Sequence, residues 1–450
     1  MKKILVIGCG GAGMFSSIVA TQLRPGKFRA TILSDEEDIY CRCTSPYIIK
    51  KEAKLKDAIQ PESMIADFGV EVVHEKAISI DTAKKVVITN KNNFFVYDYL
   101  VIGTGSSPFV PQIPGLTKTN HHTVRQSKDI YNIENSIKGK KKAVIIGAGV
   151  IGIEMASALR ERKMDVIILE KAEKISSYMA ELEYSTKILN HLRDSHINVL
   201  FNTEIKEIES VRDKKVINIK RNGEKEKIET DIIIIATGVK ANKKIAEDAG
   251  ITCGRSGIIV DEKMRTNVKN VYACGDCVMP VSAITGENTV SQLASTAIHQ
   301  SKIVGYQIAG FPIKYQGTTN AFAFKFLGRD YGQVGLNETE AKKKFKIVVT
   351  GSAESTNIYQ DLDAKKPLNF KLVFAGPKLR LVGAMGYGNG ITGFLEVSSM
   401  AIGLKMSILK VMKYNYIAHP SLTPWPFMNP IVMASEDAMG KVMNFFKRKK

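Results

Sequence analysis

Residues 2–13 read Lys-Lys-Ile-Leu-Val-Ile-Gly-Cys-Gly-Gly-Ala-Gly, a short apolar run that enters the pattern Gly-x-Gly-x-x-Gly. The run predicts a buried strand, and the small and apolar residues that follow, up to Leu23, predict a helix. In this context Gly8 permits a tight turn, and Gly10 lets a pyrophosphate approach the backbone. Gly13 brings the helix close to the strand. The segment therefore predicts the first half of a dinucleotide-binding fold.

Acidic side chains follow the second predicted strand, Ala30 to Leu33. In dinucleotide-binding folds, a carboxylate at the end of this strand accepts a hydrogen bond from a ribose hydroxyl. We predict that Asp35 has this function, and Glu36 is the next candidate.

The same pattern returns at residues 141–154, Lys-Lys-Ala-Val-Ile-Ile-Gly-Ala-Gly-Val-Ile-Gly-Ile-Glu. A strand, a glycine turn and a helix are predicted again. Gly147, Gly149 and Gly152 correspond to Gly8, Gly10 and Gly13 of the first segment. Glu154, at the start of the helix, is expected to line the nicotinamide side of the site.

The strand after this second helix, Asp165 to Leu169, ends at Glu170. A carboxylate there binds both ribose hydroxyls and repels a 2′-phosphate, which favours NADH over NADPH. The adjacent Lys171 weakens this preference and leaves NADPH open. Two nucleotide folds imply two dinucleotides, which we interpret as a flavin and a nicotinamide with hydride transfer between them.

Three further strands end in small residues or in Gly-Asp. The first ends at Gly103-Thr104-Gly105, the second at Ala236-Thr237-Gly238, and the third at Cys274-Gly275-Asp276. An aspartate in the last position can bind the ribityl hydroxyls of a flavin. The cofactor contacts predicted from these segments are Thr104, Gly105, Gly238, Gly275 and Asp276.

The order of these five motifs resembles that of the FAD-dependent pyridine nucleotide-disulfide oxidoreductases. The resemblance implies an α/β protein with two Rossmann-like dinucleotide-binding domains, one for FAD and one for NAD, and an α+β C-terminal dimerisation domain. It therefore implies a homodimer. The expected domains are residues 1–112 with 239–316 for FAD, residues 113–238 for NAD, and residues 317–450 for dimerisation.

Two cysteines lie in the segment Tyr-Cys-Arg-Cys-Thr-Ser-Pro-Tyr, which starts at residue 40. Ser45 is a good N-cap and Pro46 fits the first helical position, so a helix is expected just after Cys43. The helix dipole and the charge of Arg42 would both lower the pKa of the Cys43 thiol. Arg42 is also expected to contribute to the cofactor site.

Cys43 followed by Thr-Ser-Pro-Tyr resembles the single-cysteine branch of the family, which includes coenzyme A-disulfide reductases, NADH oxidases and NADH peroxidases. The Cys-x-x-x-x-Cys of two-cysteine members is absent. The resemblance implies that Cys43 is the redox cysteine and cycles between a thiolate and a mixed disulfide or sulfenic acid. Cys41 departs from the pattern. It could resolve Cys43, although Cys-x-Cys closes a strained ring.

The electron acceptor expected from this resemblance is a small sulfur compound, most readily coenzyme A disulfide or a polysulfide. The net charge of +19 suits an anionic coenzyme. A sulfenic acid at Cys43 would instead make oxygen or peroxide the acceptor. A flavoprotein reductase of a protein or quinone acceptor is the third alternative, and it would not need Cys43.

His419 lies in Ala-His-Pro-Ser-Leu, which resembles the His-Pro-Thr-Leu segment of two-cysteine relatives. In those relatives the histidine reaches the partner's active site as an acid–base catalyst. We predict that His419 donates a proton to the leaving thiolate. A surface histidine flanked by proline is the alternative.

No metal site is predicted. Cys274 and Cys277 have metal-like Cys-x-x-Cys spacing, but they coincide with the Gly-Asp motif, and no second ligand pair is present. We expect both to be structural thiols.

The composition is that of an ordinary globular protein. The 450 residues are 44% apolar and 24% charged, with a mean hydropathy of −0.07, and the length suggests about three domains. Six cysteines and no long apolar run indicate a cytoplasmic protein. The basic tail, residues 433–450, leaves contact with a lipid surface open, although a solvated helix end is favoured, and no nucleic-acid partner is expected.

Overall fold

The computed structural model describes residues 1–117, 120–175 and 180–447. The first 112 residues contain the first strand–turn–helix unit. Its strands are β1 (Lys2–Ile7), β2 (Phe28–Leu33), β3 (Ile39–Tyr40), β4 (Ile59–Gln60), β5 (Val70–Val73), β6 (Ala77–Asp81), β7 (Val86–Thr89), β8 (Phe94–Val96), β9 (Tyr99–Ile102) and β10 (Ser106–Pro108). Its helices are α1 (Gly11–Leu23), α2 (Ser45–Ile49), α3 (Leu55–Ala58) and α4 (Ser63–Ala66).

The second unit repeats this arrangement. Its elements are α5 (Ser127–Ser136), β11 (Lys142–Ile146), α6 (Val150–Glu161), β12 (Asp165–Leu169), α7 (Leu182–Asp194), β13 (Ile197–Leu200), β14 (Thr203–Val211), β15 (Lys214–Arg221), β16 (Glu224–Thr230) and β17 (Ile232–Ile235). The parallel sheet has the order β13-β12-β11-β17, and β14-β15-β16 form an antiparallel meander. Strand β17 is four buried isoleucines, because helices and loops cover both faces of a parallel sheet.

The chain then returns to the first sheet through β18 (Val239–Ala241), α8 (Lys244–Asp248), β19 (Val271–Ala273) and α9 (Ala294–Ala309). The completed parallel sheet has the order β19-β9-β1-β2-β5. Where the chain crosses between the two sheets, β10 and β18 pair in antiparallel fashion. The predicted α/β class with two Rossmann-like parallel sheets is thereby confirmed.

The third unit is an antiparallel sheet with helices on it. Its elements are β20 (Phe322–Phe326), β21 (Arg329–Gly335), α10 (Glu338–Lys344), β22 (Val348–Thr356), β23 (Pro367–Ala375), β24 (Arg380–Gly388), α11 (Thr392–Gly403), α12 (Ile408–Val411) and α13 (Pro430–Lys447). The strand order is β20-β21-β24-β23-β22.

The basic tail is part of this third unit. Helix α13 lies on the sheet and buries Ile431, Ala434 and Ala438, and Asp437 accepts a hydrogen bond from the backbone N–H of Ser352 at 2.9 Å. Residues 448–450 lie outside the described residues. In the described part of the chain, no helix combines the length and the apolar character needed to cross a bilayer.

A buried ion triad joins the second and third units. Lys371 of β23 donates to Glu181, just before α7, and to Glu338 of α10, each at 2.7 Å. The side chains of Lys371 and Glu181 are 9% and 8% exposed. Such a network leaves an uncompensated buried charge when one member is removed. The triad therefore holds the second nucleotide fold against the antiparallel sheet.

Replacing Lys371 by methionine is expected to destabilise the third unit by about 3–5 kcal/mol, because the carboxylate of Glu181 remains buried without its cation, whereas Glu338 keeps its ion pair with Lys342. The measurement is urea unfolding followed by the fluorescence of Trp425, the single tryptophan of the chain. The matched control is Lys342→Met, which removes a largely exposed partner of Glu338 and should cost well under about 1 kcal/mol. Equal losses in both variants would contradict the assignment.

Candidate functional site

One large cleft, with a volume of about 2670 Å³, runs between the three units. Both glycine turns open on it, and so does the segment that carries Cys43. The predicted site residues that line the cleft are Gly8, Gly10, Asp35, Arg42, Cys43, Thr104, Gly105, Gly147, Gly149, Glu154, Glu170, Gly238, Gly275 and Asp276. Residues that lie far apart in the sequence are thus brought to a single surface.

The first and last glycines of each Gly-x-Gly-x-x-Gly turn are required by the backbone conformation and packing of the protein, whether or not a ligand is bound. A Cβ on Gly13 would lie 1.9 Å from the carbonyl oxygen of Gly8, and one on Gly152 would lie 2.1 Å from that of Gly147. Gly8 and Gly147 have φ values of 102° and 111°, which favour glycine. These contacts bring each helix close to its strand, which is why Gly13 and Gly152 pack behind the cleft surface.

The middle glycines have a different environment. The nearest protein neighbour of a Cβ on Gly10 would be the Arg42 guanidinium, at 3.5 Å. The nearest neighbour of a Cβ on Gly149 would be the carbonyl oxygen of Ala236, at 3.9 Å. Both have ordinary extended backbone, with φ of −78° and −83°. Protein packing therefore does not require glycine here. The bare backbone faces the cleft at the N-terminus of a helix, which fits a dinucleotide pyrophosphate.

Glu170 directly follows β12 and is fixed by the second glycine turn. Its carboxylate accepts hydrogen bonds from the backbone N–H groups of Ala148 at 2.8 Å and Ala172 at 2.9 Å. The equivalent position after β2 is occupied by Ser34, so the acidic residues of the first unit lie further along the loop. Asp35 is exposed at 55% and lies 3.9 Å from Lys76.

Glu36 and Arg42 form an ion pair beside the first glycine turn. The guanidinium of Arg42 donates to both carboxylate oxygens of Glu36, at 2.6 and 2.7 Å. Glu36 is only 18% exposed, so it is more firmly held than Asp35. Within the described part of the chain, Arg42 Nε is buried without a hydrogen-bond partner. The arrangement fixes a cation over the turn where the pyrophosphate fits.

Arg125 is a cleft residue that the sequence analysis missed. Its guanidinium lies 4.0 Å from Glu36 and 3.3 Å from the position of a Cβ on Gly105. It precedes α5, in the span predicted for the second unit, yet it reaches the first. A lone arginine before a helix carries no motif, and only the tertiary fold reveals its position.

The remaining predicted cofactor residues form the floor of the cleft near the crossover. Asp276 accepts a hydrogen bond from Ser106 Oγ at 2.8 Å, and the backbone N–H of Gly275 donates to Gln300 at 2.8 Å. The Thr104 hydroxyl donates to the carbonyl of Asn242 at 2.6 Å. The side chain of Thr104 therefore joins the two crossing segments. Its hydroxyl hydrogen is already donated, so the hydroxyl oxygen can only accept a hydrogen bond from a ligand.

A helix begins just after Cys43, as predicted, but the predicted N-cap residue, Ser45, is wrong. Residues Arg42–Thr44 form a single 3₁₀ turn, and α2 begins at Ser45 with Thr44 as its N-cap. The Ser45 hydroxyl donates back to the carbonyl of Arg42 at 2.7 Å instead of capping the helix. Helix α2 has only five residues, so its dipole is small.

The expected lowering of the Cys43 pKa is also wrong. Cys43 is exposed on the cleft wall, yet desolvation by the surrounding protein raises the pKa of its thiol. The negative charges of Cys41 and Glu154 raise it further, and Arg42 lowers it. Desolvation and these negative charges outweigh the lowering by Arg42.

Glu154 lies on α6 and faces the Cys43 region of the cleft. Burial raises the pKa of its carboxyl group to about 7, while a hydrogen bond from the backbone N–H of Lys325 and the charge of Lys50 lower it. The group is therefore close to half-ionised at neutral pH. It can hold a proton or a charge beside the thiol.

Replacing Glu154 by glutamine is expected to shift the alkylation profile of Cys43 to lower pH, because the charge that opposes the thiolate is removed. At about pH 8, iodoacetamide should label Cys43 several times faster than in the wild type, measured by peptide mass spectrometry. The control Glu224→Gln changes an exposed carboxylate of β16 that does not line the cleft. If both variants behave like the wild type, Glu154 does not influence the thiol.

The other cysteines differ in whether they are buried in the core or line the cleft. All six are free thiols. Cys274 and Cys277 are completely buried and donate to backbone carbonyls, as structural thiols do. Cys9 and Cys41 line the cleft, whereas Cys253 does not. In the described ranges, no cluster of three or more ligand-type side chains could hold a metal ion.

His419 does not line the cleft of its own chain, as far as the described residues extend. It is exposed, and its Nδ1 lies 3.2 Å from the hydroxyl of Ser421. The structure thus brings Cys43 together with the predicted cofactor residues but places His419 on the surface of the third unit.

Two domains of one sequence family match the chain. The pyridine nucleotide-disulphide oxidoreductase family matches residues 2–301, and the dimerisation domain of the same family matches residues 321–426. The chain therefore belongs to the pyridine nucleotide-disulphide oxidoreductases, enzymes that use FAD and NAD(P)H.

Individual relatives cover almost the whole chain. The NADH oxidase of Methanocaldococcus jannaschii is 29% identical over 98% of this chain and 100% of its own. The CoA-dependent NAD(P)H sulfur oxidoreductase of Pyrococcus furiosus is 29% identical over 89% of this chain and 91% of its own. The solved structure of a NAD-dependent persulfide reductase from A. fulgidus has a TM-score of 0.91 and 28% identity, and the match covers 98% of this chain and 84% of that one.

Proposed function

We propose that this protein passes electrons from NADH through FAD to Cys43, and from there to a disulfide or persulfide sulfur acceptor, most readily coenzyme A disulfide or a polysulfide. The observation that carries the proposal is the exposure of Cys43 on the wall of the same cleft onto which both glycine turns open. The sulfur reductases among the relatives support the sulfur acceptor.

In this proposal the two parallel sheets bind the two dinucleotides. Gly8 and Gly10 would hold the FAD pyrophosphate with Arg42, and Asp276 would bind its ribityl chain. Gly147 and Gly149 would hold NADH, and the Glu170 carboxylate would bind its ribose hydroxyls and repel a 2′-phosphate. When bound, the nicotinamide and the flavin supply two-electron transfer.

The residues around Cys43 would control protons and charge. Glu154 can accept or hold a proton beside the thiol near neutral pH. Arg42 partly offsets the negative charges that oppose the thiolate. Thiol and disulfide exchange at Cys43 then proceeds by thiolate attack on the acceptor sulfur.

A panel of acceptors tests this function. NADH consumption by the holoenzyme is measured in parallel with coenzyme A disulfide, polysulfide, oxygen and hydrogen peroxide. The proposal expects kcat/KM to be highest for one of the two sulfur acceptors. A kcat/KM that is highest for oxygen or peroxide would contradict the sulfur acceptor.

A second candidate function is NADH oxidase. The observation in its favour is the NADH oxidase of Methanocaldococcus jannaschii, which matches this chain from end to end. In this case Cys43 would alternate between a thiolate and a sulfenic acid. Trapping the sulfenic acid with dimedone after exposure to peroxide distinguishes it from the mixed disulfide of a sulfur reductase.

We also propose a homodimer formed through the third unit. The segment matched by the dimerisation domain exposes large apolar side chains such as Leu404, Ile417 and Leu422, and exposed apolar patches are typical of interfaces. His419 lies in the same segment, so in a dimer it would act on the partner's cleft as a proton donor. The six free thiols suit the cytoplasm as the proposed location.

A further inference from the structure

Two exposed thiols, Cys41 and Cys43, lie one residue apart on the wall of the cleft. The backbone N–H of Cys41 donates to the carbonyl of Ala58 at 2.9 Å, and the N–H of Thr44 donates to the carbonyl of Cys41 at 3.1 Å. The segment is therefore a tight turn. Arg42, the residue between the two cysteines, is the first residue of the 3₁₀ turn. Its turn conformation brings the flanking Cα atoms to about 5 Å from each other, which lies within the range that disulfides span.

We propose that Cys41 is a second redox residue, which resolves the mixed disulfide on Cys43 by forming a transient Cys41–Cys43 disulfide. This inference rests on the proposed function, because it requires that Cys43 first react with the sulfur acceptor. It adds a residue that the single-cysteine pattern does not contain.

The proposed thiol–disulfide exchange takes place in two steps, in which atoms and electrons balance. The Cys43 thiolate attacks the acceptor disulfide, so that a Cys43–sulfur bond forms, the acceptor S–S bond breaks and one thiolate leaves. The Cys41 thiolate then attacks Cys43 Sγ, the Cys41–Cys43 bond forms and the second thiolate leaves. The two protein thiols are oxidised by two electrons and the acceptor is reduced by two, and the thiol protons pass to the departing thiolates. NADH restores both protein thiols through the flavin.

The geometry of the turn favours a disulfide that does not accumulate. Cys41 precedes the 3₁₀ turn and has extended backbone, with φ of −79° and ψ of 92°, whereas Cys43 lies within the turn. A disulfide ring closed over the single residue Arg42 is therefore strained. Strained and exposed disulfides are the labile ones and are readily reduced. A short-lived bond of this kind suits a catalytic intermediate.

No other cysteine is as well placed to resolve Cys43. Cys274 and Cys277 are completely buried, and Cys253 lies away from the cleft. Cys9 lines the cleft but lies in the first glycine turn, and burial raises the pKa of its thiol to about 12. A neutral thiol in that position is a poor nucleophile.

The first test counts the thiolates released from the aromatic disulfide DTNB. Holoenzyme freed of reductant is kept in excess over DTNB at mildly alkaline pH. If Cys41 resolves the adduct, each DTNB releases both of its coloured thiolates. Cys41→Ser is expected to release one and to retain the adduct on Cys43. The control Cys253→Ser should match the wild type. A wild type that retains the adduct, or a Cys41→Ser variant that releases both thiolates, overturns the proposal.

A second measurement uses trypsin, which cleaves after Arg42, between the two cysteines. Reduced protein yields the separate peptides 30–42 and 43–50. Protein oxidised by one equivalent of DTNB and digested without reductant should keep the two segments joined. Separate peptides after oxidation would exclude the disulfide. A protein in which Cys43 never forms an adduct would instead overturn the proposed function, so the two failures are distinguishable.

Discussion

Replacing Cys43 by serine is expected to lower the rate of NADH-dependent disulfide reduction by about 10³-fold or more, because a hydroxyl cannot replace the sulfur nucleophile. Reduction of the bound flavin by NADH in a single turnover should stay within about twofold of the wild type, since the cofactor contacts are unchanged. The two readouts separate the sulfur chemistry from cofactor binding.

The matched control is Cys253→Ser, which changes a cysteine away from the cleft and should leave both readouts unchanged. A Cys43→Ser enzyme that still reduces disulfides at the rate of the wild type would remove the thiol from the mechanism. It would favour the reductase of a protein or quinone acceptor, which transfers electrons without Cys43.

Valine substitutions at the two middle glycines should remove one dinucleotide each. Gly149→Val is expected to raise the KM for NADH by about 10- to 100-fold, which corresponds to about 1.4–2.8 kcal/mol, while FAD stays bound. Gly10→Val should yield protein with little or no FAD. The reason is that a Cβ at either position extends into the cleft, with no protein neighbour closer than 3.5 Å, so the valine side chain occupies the space of the pyrophosphate.

The measurements are the flavin content per chain, from absorbance, and the KM for NADH. Far-ultraviolet circular dichroism checks that each variant is folded. The comparison variant is Gly152→Ala, whose Cβ would collide with the carbonyl of Gly147 and should destabilise the fold itself. An unchanged KM in Gly149→Val together with full FAD content would show that the second turn does not hold the nicotinamide dinucleotide.

The sequence was sufficient for the two nucleotide folds because their signals are local. The strand predicted at Asp165–Leu169 has the same bounds in the structure, and the glycine spacing predicted both turns. A buried parallel strand, a tight turn and a helix each depend on residues close in the chain. The resemblance to the family then implied that the chain returns to its first sheet.

The properties of Cys43 could not be predicted in the same way. A thiol's pKa depends on the protein that surrounds it and on charges such as Glu154, more than 100 residues away in the chain. The charge of Arg42 was visible in the sequence, but its pairing with Glu36 was not. Arg125 and the triad around Lys371 were missed for the same reason, since each depends on contacts between separate units.

The most direct test of the central claim, that electrons from NADH reach the sulfur of Cys43 through the flavin, is an anaerobic titration with NADH. Holoenzyme is first oxidised with coenzyme A disulfide and desalted, and the flavin absorbance is followed as NADH is added. We predict that the wild type consumes two NADH per flavin before the absorbance is fully lost, one for the flavin and one for the oxidised sulfur, whereas Cys43→Ser consumes one. A wild type that consumes only one NADH per flavin, like the variant, would contradict the account.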